Sequence, residues 1–339
     1  MRKKTLLISL VLVLTGLLII GCSSGNTTEA EEGASNNQEA KVITVGHVLA
    51  PEHPYHKGLL KFAEIVEEKT EGTYKVEVYP SGQIGGERDM VEGMQLGTVH
   101  GGLIGGTLGL VEPKFMVTDL PFIFRDRKHA YKVLDGSIGQ DLLDSLSNHK
   151  LKGLCFWENG FRQITNSKRP IKTPADMEGL KIRTPENKVQ IAAIEAMGAN
   201  PTPMAFPELF TALEQKVVDG QENSLSIIAS SRLDEVQEYC TIINYMYQPA
   251  TFVMSKKFFD GLPSDIQKII MEAAREAQKY ERQLIQEEDE KLAKELKERG
   301  MKINTIEDVS LFREKVKPVY EQFSEKIGAD LIQSIIDTK

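Results

Sequence analysis

The apolar positions in the first third of the chain change their spacing repeatedly. The β-branched run 41–48 and the alternation of apolar with charged residues over 74–78 predict two strands. Between them, apolar residues recur at helical spacing up to Gly72, which predicts a helix that ends there. A second helix is predicted over 87–96, and a further strand from Val99. This alternation is typical of a parallel or mixed sheet covered by helices.

The same alternation returns in the second half of the chain. Short apolar runs predict strands over 151–157, 180–183 and 252–255. Helical spacing predicts helices over 187–197 and 207–216. Two α/β lobes fit this arrangement better than one long sheet.

A long helical pattern lies near the C-terminus. Ser264 and Gln267 match a capping box after Pro263, and the pattern then runs unbroken to Arg299, just before Gly300. A helix of about 35 residues would span ~50 Å at 1.5 Å per residue. The pattern therefore predicts either two helices joined by a kink or one helix that lies across both lobes.

The first residues have the layout of a signal peptide. Basic residues at 2–4 precede an apolar run over 6–20, and the following Gly21-Cys22 resembles a bacterial lipobox. We therefore predict a signal peptide over 1–21 and a lipid anchor on Cys22. Residues 22–40 have no large apolar side chain and are predicted to form a flexible, disordered tether. The alternative is a retained membrane helix followed by an ordinary buried cysteine.

The charge of the chain restricts its partners. The sequence contains 41 Lys and Arg against 49 Asp and Glu, a net charge of −8. Removal of the basic signal peptide would leave the protein more acidic, which argues against nucleic acid as a partner. An acidic protein that binds an anion needs a local positive site. Cys155 and Cys240 lie in apolar stretches and are predicted to be core residues, not a disulfide or metal ligands.

Signatures of catalysis and of cofactors are missing from the sequence. Residues 41–339 contain neither a phosphate loop nor a nucleophile elbow, and the glycines over 101–109 lack the dinucleotide fingerprint. His47, His53 and His56 raise the hypothesis of a metal site, but no acidic or thiol ligand stands at zinc spacing. We therefore predict no cofactor, no metal and no enzymatic activity.

Two arginines follow predicted strands. Arg162 comes shortly after the strand over 151–157, and Arg183 ends the strand over 180–183. Crevices in open α/β sheets lie at the carboxyl ends of strands. A guanidinium suits a carboxylate because it offers two parallel donors and stays charged. The alternative for each arginine is a surface salt bridge.

Five blocks, in order and with matching separations, resemble the DctP-like solute receptors of TRAP (tripartite ATP-independent periplasmic) transporters. They are EVYPSGQIGGERDMVEGMQLGTV (77–99), LPFIFRDRKHAYKVLDG (120–136), ENGFRQITNSKRPI (158–171), GLKIRTPEN (179–187) and GANPTPMAFPELFTALEQKVVDGQEN (198–223). The resemblance implies an α/β, two-lobed periplasmic-binding-protein-like fold, with mixed sheets flanked by helices and a long C-terminal helix spanning both lobes. It also implies a ligand enclosed between the lobes, with lobe I at 41–159 plus about 249–288 and lobe II at 160–248 plus about 289–330.

The resemblance also implies a set of ligand-binding residues. Its principal carboxylate-binding arginine falls on Arg183, and a second ligand-contacting arginine on Arg162. The polar partner falls on Asn223, and the ring that packs on the ligand on Phe206. The remaining candidates, all less direct, are His47, Glu87 and Trp157. The alternatives are a core position for Phe206 and, for Glu87, an acid at a helix N-terminus.

The expected ligand is a small organic acid. Family members that bind sialic acid carry an acid in the stretch corresponding to 102–106, which here contains only small and apolar residues. These small residues are expected to leave room for ligand. Glu87, His47 and Trp157 suit a hydroxylated ring, so a hexuronate or related sugar acid is favoured, with a C4-dicarboxylate as close second. The expected partners are the TRAP permease subunits in the membrane.

Three other functions remain open on the sequence alone. The same binding domain can serve as a sensor for a membrane kinase, or as an ABC-type receptor with a different lobe topology. An enzyme acting on a sugar acid is the third, although no nucleophile or metal site supports it.

Overall fold

The computed structural model describes residues 40–339, apart from the side chain of residue 290. The predicted signal peptide, Cys22 and all but the last residue of the tether lie outside the described residues. Within the described part, none of the helices combines the length and apolar character required to span a bilayer.

The described residues form one sheet of nine strands. The strands are β1 (Lys41–Gly46), β2 (Tyr74–Tyr79), β3 (Gly101–Ile104), β4 (Leu151–Asn166), β5 (Lys181–Thr184), β6 (Asn200–Pro203), β7 (Gly220–Asn223), β8 (Tyr239–Ser255) and β9 (Lys302–Thr305). All predicted strands are present. Two are much longer than predicted: β4 continues past 157, and β8 begins well before 252.

The two long strands run antiparallel at the centre of the sheet. The strand order is β2-β1-β3-β8-β4-β7-β5-β6, and β9 pairs with β8. Strands β1–β3 adjoin one half of the β4–β8 ribbon, where Gly101 of β3 faces Met254. Strands β5–β7 adjoin the other half, where Asn223 of β7 faces Gln163. The ribbon thus joins two groups of short strands, as expected for the two-lobed α/β fold.

Strand β4 is irregular where it passes between these groups. Its register with β8 shifts between Gly153 and Cys155, between Glu158 and Gly160, and between Arg162 and Ile164. Gly160 has a φ of 103°, which a side-chain-bearing residue rarely adopts. Bulges redirect side chains and bend strands, so Asn159 and Arg162 leave the regular alternation of the ribbon.

Helices cover the sheet. They are α1 (Pro54–Lys69), α2 (Glu87–Leu96), α3 (Arg127–Leu134), α4 (Ser137–Ser145), α5 (Lys188–Ala196), α6 (Leu209–Glu214), α7 (Leu225–Ser230), α8 (Lys256–Asp260), α9 (Ser264–Glu298), α10 (Ser310–Ile327) and α11 (Ala329–Asp337). Helix α2 has the predicted bounds. The helix predicted over 207–216 is shorter, because a 3-10 turn over Phe206–Glu208 precedes α6.

Helix α9 is a single helix of 35 residues, which confirms the long C-terminal helix. Its first half contributes Ile270 and Ala277 to the large hydrophobic core, whereas Leu292 and Leu296 belong to a second cluster around α6 and α7. The predicted capping box is wrong. Pro263 occupies the N-cap and no side chain caps the helix, since Gln267 donates to the carbonyl oxygen of Leu262 instead.

The two cysteines within the described residues are core residues, as predicted. Cys155 and Cys240 are buried and unpaired. Burial raises the pKa of each thiol to about 12, so both stay protonated and unreactive at neutral pH.

Candidate functional site

A cavity of about 460 Å³ lies where the ends of several strands and helices meet. Five of the seven predicted ligand-binding residues line it: Glu87, Arg162, Arg183, Phe206 and Asn223. They come from the start of α2, from β4 and β5, from the 3-10 turn before α6 and from the end of β7. The cavity therefore brings together residues that are up to 136 positions apart in the sequence, from Glu87 to Asn223.

Arg183 lines the cavity without an acidic partner. Its side chain is 2% exposed, and no carboxylate within the described part lies within 4 Å of it. Its Nε and Nη2 both donate to the carbonyl oxygen of Met204, at 3.1 and 2.8 Å. The guanidinium lies over the Phe206 ring, and the distance from its central carbon Cζ to the ring centroid is 5.7 Å. A buried cation with donors left over favours an anion in the cavity.

Burial makes the charge of Arg183 unfavourable. Burial lowers the pKa of Arg183 to about 10; the carboxylate of Glu222 opposes this shift and the positive charge of Arg162 adds to it. At neutral pH the guanidinium still carries its charge. A carboxylate placed against it would relieve the cost of that burial.

Arg162 is already paired. Its guanidinium binds Glu222 through two nitrogens, and Nη2 lies 2.8 Å from Oε1. Glu222 also accepts a hydrogen bond of 2.6 Å from the Tyr245 hydroxyl. Although burial opposes its charge, the Glu222 carboxylate raises the pKa of Arg162. The positive charge of Arg162 is thus neutralised by the protein itself.

The remaining donors of Arg162 hold two amides of the cavity wall. Nη1 donates to Oε1 of Gln248 at 2.6 Å, and Nη2 donates to Oδ1 of Asn223 at 2.9 Å. Asn223 in turn donates to Gln221. The arrangement makes Arg162 a support for the wall, and its direct contact with ligand stays a prediction.

Glu87 joins α2 to the loop after β3. Its carboxylate accepts hydrogen bonds from the backbone of Gly105 at 2.7 Å and of Gly106 at 3.1 Å, and from the Thr107 hydroxyl at 3.2 Å. A Cβ on Gly105 would lie 3.0 Å from Glu87, and one on Gly106 would lie 3.0 Å from Gln248. The space beside these two glycines is therefore occupied by side chains of the protein, although Gly106 itself lines the cavity. That the small residues over 102–106 leave room for a ligand stays a prediction.

His47 and Trp157 are absent from the residues that line the cavity. Both are fully buried. The Trp157 ring packs against Phe252, with centroids 5.6 Å apart, and Nε2 of His47 lies 3.2 Å from Nδ1 of His56. Both pack in the core, where Nδ1 of His47 and Nε1 of Trp157 have no hydrogen-bond partner within the described part, and their contact with a ligand stays a prediction. His53 forms a separate contact, because its Nε2 lies 3.3 Å from the Ser226 hydroxyl.

The burial of His47 predicts a pH effect on stability. Desolvation, with a smaller effect of His56, lowers its pKa from 6.5 to about 3. Below pH 6.5 the unfolded chain takes up a proton that the folded protein does not, so folding loses stability as the pH falls. We expect His47→Gln to reduce the loss in unfolding free energy between pH 7 and pH 5 by about 2 kcal/mol. Urea unfolding at both pH values measures this, and equal losses in the two proteins would contradict it.

Sequence reasoning did not identify three further residues of the cavity wall: Tyr55, Asn159 and Gln248. Asn159 stands in the ENGFR block and could have been found there, whereas Tyr55 and Gln248 carry no motif. The Tyr55 hydroxyl and Oδ1 of Asn159 are buried and have no hydrogen-bond partner within the described part. Like the unused donors of Arg183, these two atoms would be satisfied by a polar group placed inside the cavity.

The outer wall is mostly acidic. Asp89, Glu92, Glu186 and Glu208 line it together with Arg88. Arg88 is paired, since its guanidinium lies 3.1 Å from Glu92 and 3.9 Å from Glu186. Among the described residues of the cavity, Arg183 is therefore the one cation without a carboxylate partner. The site can hold one carboxylate and, elsewhere, neutral polar groups.

Comparisons with known proteins point to one family. A family model described as bacterial extracellular solute-binding protein, family 7 (DctP), matches residues 45–326. A 2,3-diketo-L-gulonate-binding periplasmic protein of Escherichia coli (strain K12) is 35% identical to this chain. The match covers 89% of this chain and 93% of that protein.

Solved structures agree. A TRAP periplasmic solute binding protein from Polaromonas sp. JS666, bound to D-erythronate, has a TM-score of 0.86 at 40% identity, covering 88% of this chain and 99% of that one. Another, from Sulfurospirillum deleyianum with bound succinate, has a TM-score of 0.85 at 35% identity, covering 88% and 99%.

Proposed function

We propose, for a chain that belongs to bacterial extracellular solute-binding protein family 7 (DctP), that Arg183 holds the carboxylate of a small hydroxylated acid inside the cavity. Proteins of this family are extracytoplasmic receptors that bind small carboxylates, work with a TRAP membrane permease and catalyse no reaction. The observation that carries the proposal is a fully buried, cavity-lining guanidinium without a carboxylate partner in the described part.

The charges of the wall favour a sugar acid. Arg162 is paired with Glu222 and does not attract a second carboxylate. The acidic side chains of the outer wall would repel such a group. Hydroxyl groups instead match the unpartnered polar atoms of Tyr55 and Asn159. The names of the Escherichia coli relative and the Polaromonas structure refer to a sugar acid and D-erythronate. The succinate-bound relative keeps a C4-dicarboxylate as second candidate.

A screen by thermal shift tests this ligand class. The purified protein is heated with uronates, aldonates, C4-dicarboxylates and 2-oxo acids. A ligand that binds only the folded state stabilises it by about 2.7 kcal/mol at a hundred times its Kd. We expect the largest shifts from hydroxylated monocarboxylates. A screen in which dicarboxylates give the largest shifts would favour the second candidate, and one without any shift would oppose both.

Closure of two lobes completes the proposed mechanism. We assign 41–159 and about 249–288 to lobe I, and 160–248 and about 289–330 to lobe II. On this division Glu87 belongs to lobe I and Arg183 to lobe II, so a ligand between them would link the lobes. The irregular part of β4 crosses from one to the other, which suits a hinge. The closed, liganded form is the one we expect the permease to recognise.

A lipid anchor on Cys22 is the proposed attachment to the membrane. The support is the sequence itself, in which Gly21-Cys22 follows an apolar run. We expect Cys22→Ala to move the protein from the membrane fraction to the soluble or secreted fraction, since one lipidated residue would be lost. Cys240→Ala serves as control because that thiol is buried in the core. Equal membrane fractions for wild type and Cys22→Ala would contradict the anchor.

A further inference from the structure

His53 links the start of helix α1 to helix α7. It is the N-cap residue of α1 and is fully buried. Its Nδ1 accepts the backbone hydrogen bond of Tyr55 at 3.1 Å, and its Nε2 lies 3.3 Å from the hydroxyl oxygen of Ser226 in α7. One side chain therefore caps one helix and contacts another.

The cap fixes the position of the proton on the His53 ring. A backbone N–H can only donate, so Nδ1 of His53 must be without a proton. Burial, with smaller effects of His47 and Lys57, lowers the pKa of His53 well below 6.5, so the ring is neutral at neutral pH. The one ring proton is then on Nε2, which donates to Ser226. The Ser226 hydroxyl keeps its own proton for the Ser224 oxygen, 3.0 Å away.

The His53–Ser226 hydrogen bond lies outside the ligand cavity. Neither residue lines that cavity, although their neighbours Tyr55 and Ile227 do. A second cavity, of about 840 Å³, is lined by Ala50 and Ser226 together with part of α9. The starts of α1 and α7 thus form a wall between two cavities, and the hydrogen bond joins the two parts of this wall.

The same bond connects the two lobes proposed above, because His53 belongs to lobe I and Ser226 to lobe II. The helices that carry the two residues pack in different places. Leu59 of α1 lies in the large core, whereas Leu225 and Ile228 of α7 belong to the second cluster. Separation of the lobes would therefore break the bond and expose both partners to water.

We infer that the His53–Ser226 hydrogen bond is a closure contact, which forms when the lobes close around the acid and slows its release. The inference rests on the proposed function and deepens it, since it assigns part of the affinity to two residues outside the cavity. In the open form, water takes the place of each partner. The contact therefore stabilises only the closed, liganded form and adds to its population.

A double-mutant cycle tests the closure contact. Ser226→Ala removes the acceptor of the hydrogen bond. His53→Asn keeps a good N-cap residue, but its shorter side chain does not reach Ser226. The probe is D-erythronate, or the acid with the largest thermal shift where the screen selects another. Calorimetry gives its Kd for wild type, both single variants and the double variant.

We expect Ser226→Ala to raise the Kd about three- to tenfold, the range of one hydrogen bond between neutral groups. In the His53→Asn background, Ser226→Ala should change the Kd by less than about twofold, because the donor is already absent. The increase should lie in the dissociation rate of the acid, since the contact forms after the acid has entered. Stopped-flow competition measures that rate.

Ser230→Ala is the matched control. It removes a hydroxyl from the same helix, and that hydroxyl has no hydrogen-bond partner within the described part. The Kd should stay within about twofold of wild type. Urea midpoints of the four ligand-free proteins separate a closure contact from a permanent one. The effects of Ser226→Ala and His53→Asn on the midpoint should add, because the open form lacks the contact.

Several results would overturn the inference. An unchanged Kd in Ser226→Ala is one, and an equal rise in Kd in the His53→Asn background is another. Coupling in the urea midpoints without coupling in the Kd would show a permanent contact and overturn it as well. Should His53→Asn fail to fold, the Kd of Ser226→Ala relative to that of Ser230→Ala decides.

The outcomes distinguish this inference from the proposed function. Wild type that binds the acid and is weakened by Arg183→Ala, but not by Ser226→Ala, overturns the inference alone. Wild type that binds no acid of the thermal-shift screen overturns both.

Discussion

Arg183→Ala is expected to weaken binding of the preferred acid by about 2–5 kcal/mol, roughly 30-fold to several thousand-fold in Kd. The ligand carboxylate would enter a buried site without its charged partner. Among the described residues that line the cavity, no other cation can take over, because Arg162 is paired with Glu222 and Arg88 with Glu92 and Glu186. Calorimetry with the best ligand of the thermal-shift screen measures the change.

Two further variants sharpen this result. Arg183→Lys keeps a charge but loses the planar pair of donors, so we expect an intermediate affinity. Arg232→Ala is the matched control, since Arg232 is exposed and paired with Glu235, and its affinity should equal that of wild type. Without ligand, Arg183→Met should be at least as stable as wild type, because a buried charge without a counter-charge is removed. Unchanged affinity in Arg183→Ala would exclude Arg183 as the carboxylate site.

Glu222→Ala is expected to destabilise the protein by about 3–5 kcal/mol. Both members of the Arg162–Glu222 pair are buried, so loss of the carboxylate leaves the Arg162 guanidinium uncompensated. The Tyr245 hydroxyl loses its acceptor at the same time. Urea unfolding in the absence of ligand gives the difference in the free energy of unfolding.

The double variant Arg162→Met/Glu222→Leu distinguishes a broken pair from a lost contact. Replacing a whole buried pair by apolar groups is often close to neutral, so the double variant should recover much of the stability lost in Glu222→Ala. Glu235→Ala, which removes the acid of an exposed pair with Arg232, should cost less than about 1 kcal/mol. A loss in Glu222→Ala as small as that in Glu235→Ala would contradict the account of Arg162.

The spacing of hydrophobic residues predicted an element correctly where one face of that element is apolar. Helix α2 and the 35-residue α9 follow the predicted bounds, because their spacing is regular. The hydrophobic spacing did not predict the second half of β4 or the part of β8 that precedes residue 252. There the buried positions are partly polar, as with Glu158, Arg162 and Thr241, and do not form an apolar run. Hydrogen bonds from neighbouring elements satisfy these side chains: Glu158 pairs with Arg127 of α3, and Arg162 with Glu222 of β7.

The site was predictable only in part. Arg183 and Phe206 came from the resemblance to a family, and both line the cavity. The partner of Arg162 could not be inferred, since the hydrogen-bond geometry that selects Glu222 over a ligand depends on the register of β4 with β7. Trp157, a large aromatic residue beside a binding motif, packs against Phe252 in the core because the strand directs it there, and its contact with a ligand stays a prediction.

The central claim is that the Arg183 guanidinium holds the acid group of the ligand. A crystal structure of the protein with the tightest ligand of the screen tests it most directly. The account predicts the ligand carboxylate within hydrogen-bonding distance of the Arg183 guanidinium nitrogens, with a ligand hydroxyl facing Asn159. A carboxylate bound at Arg88 on the outer wall, or away from any arginine, would contradict it.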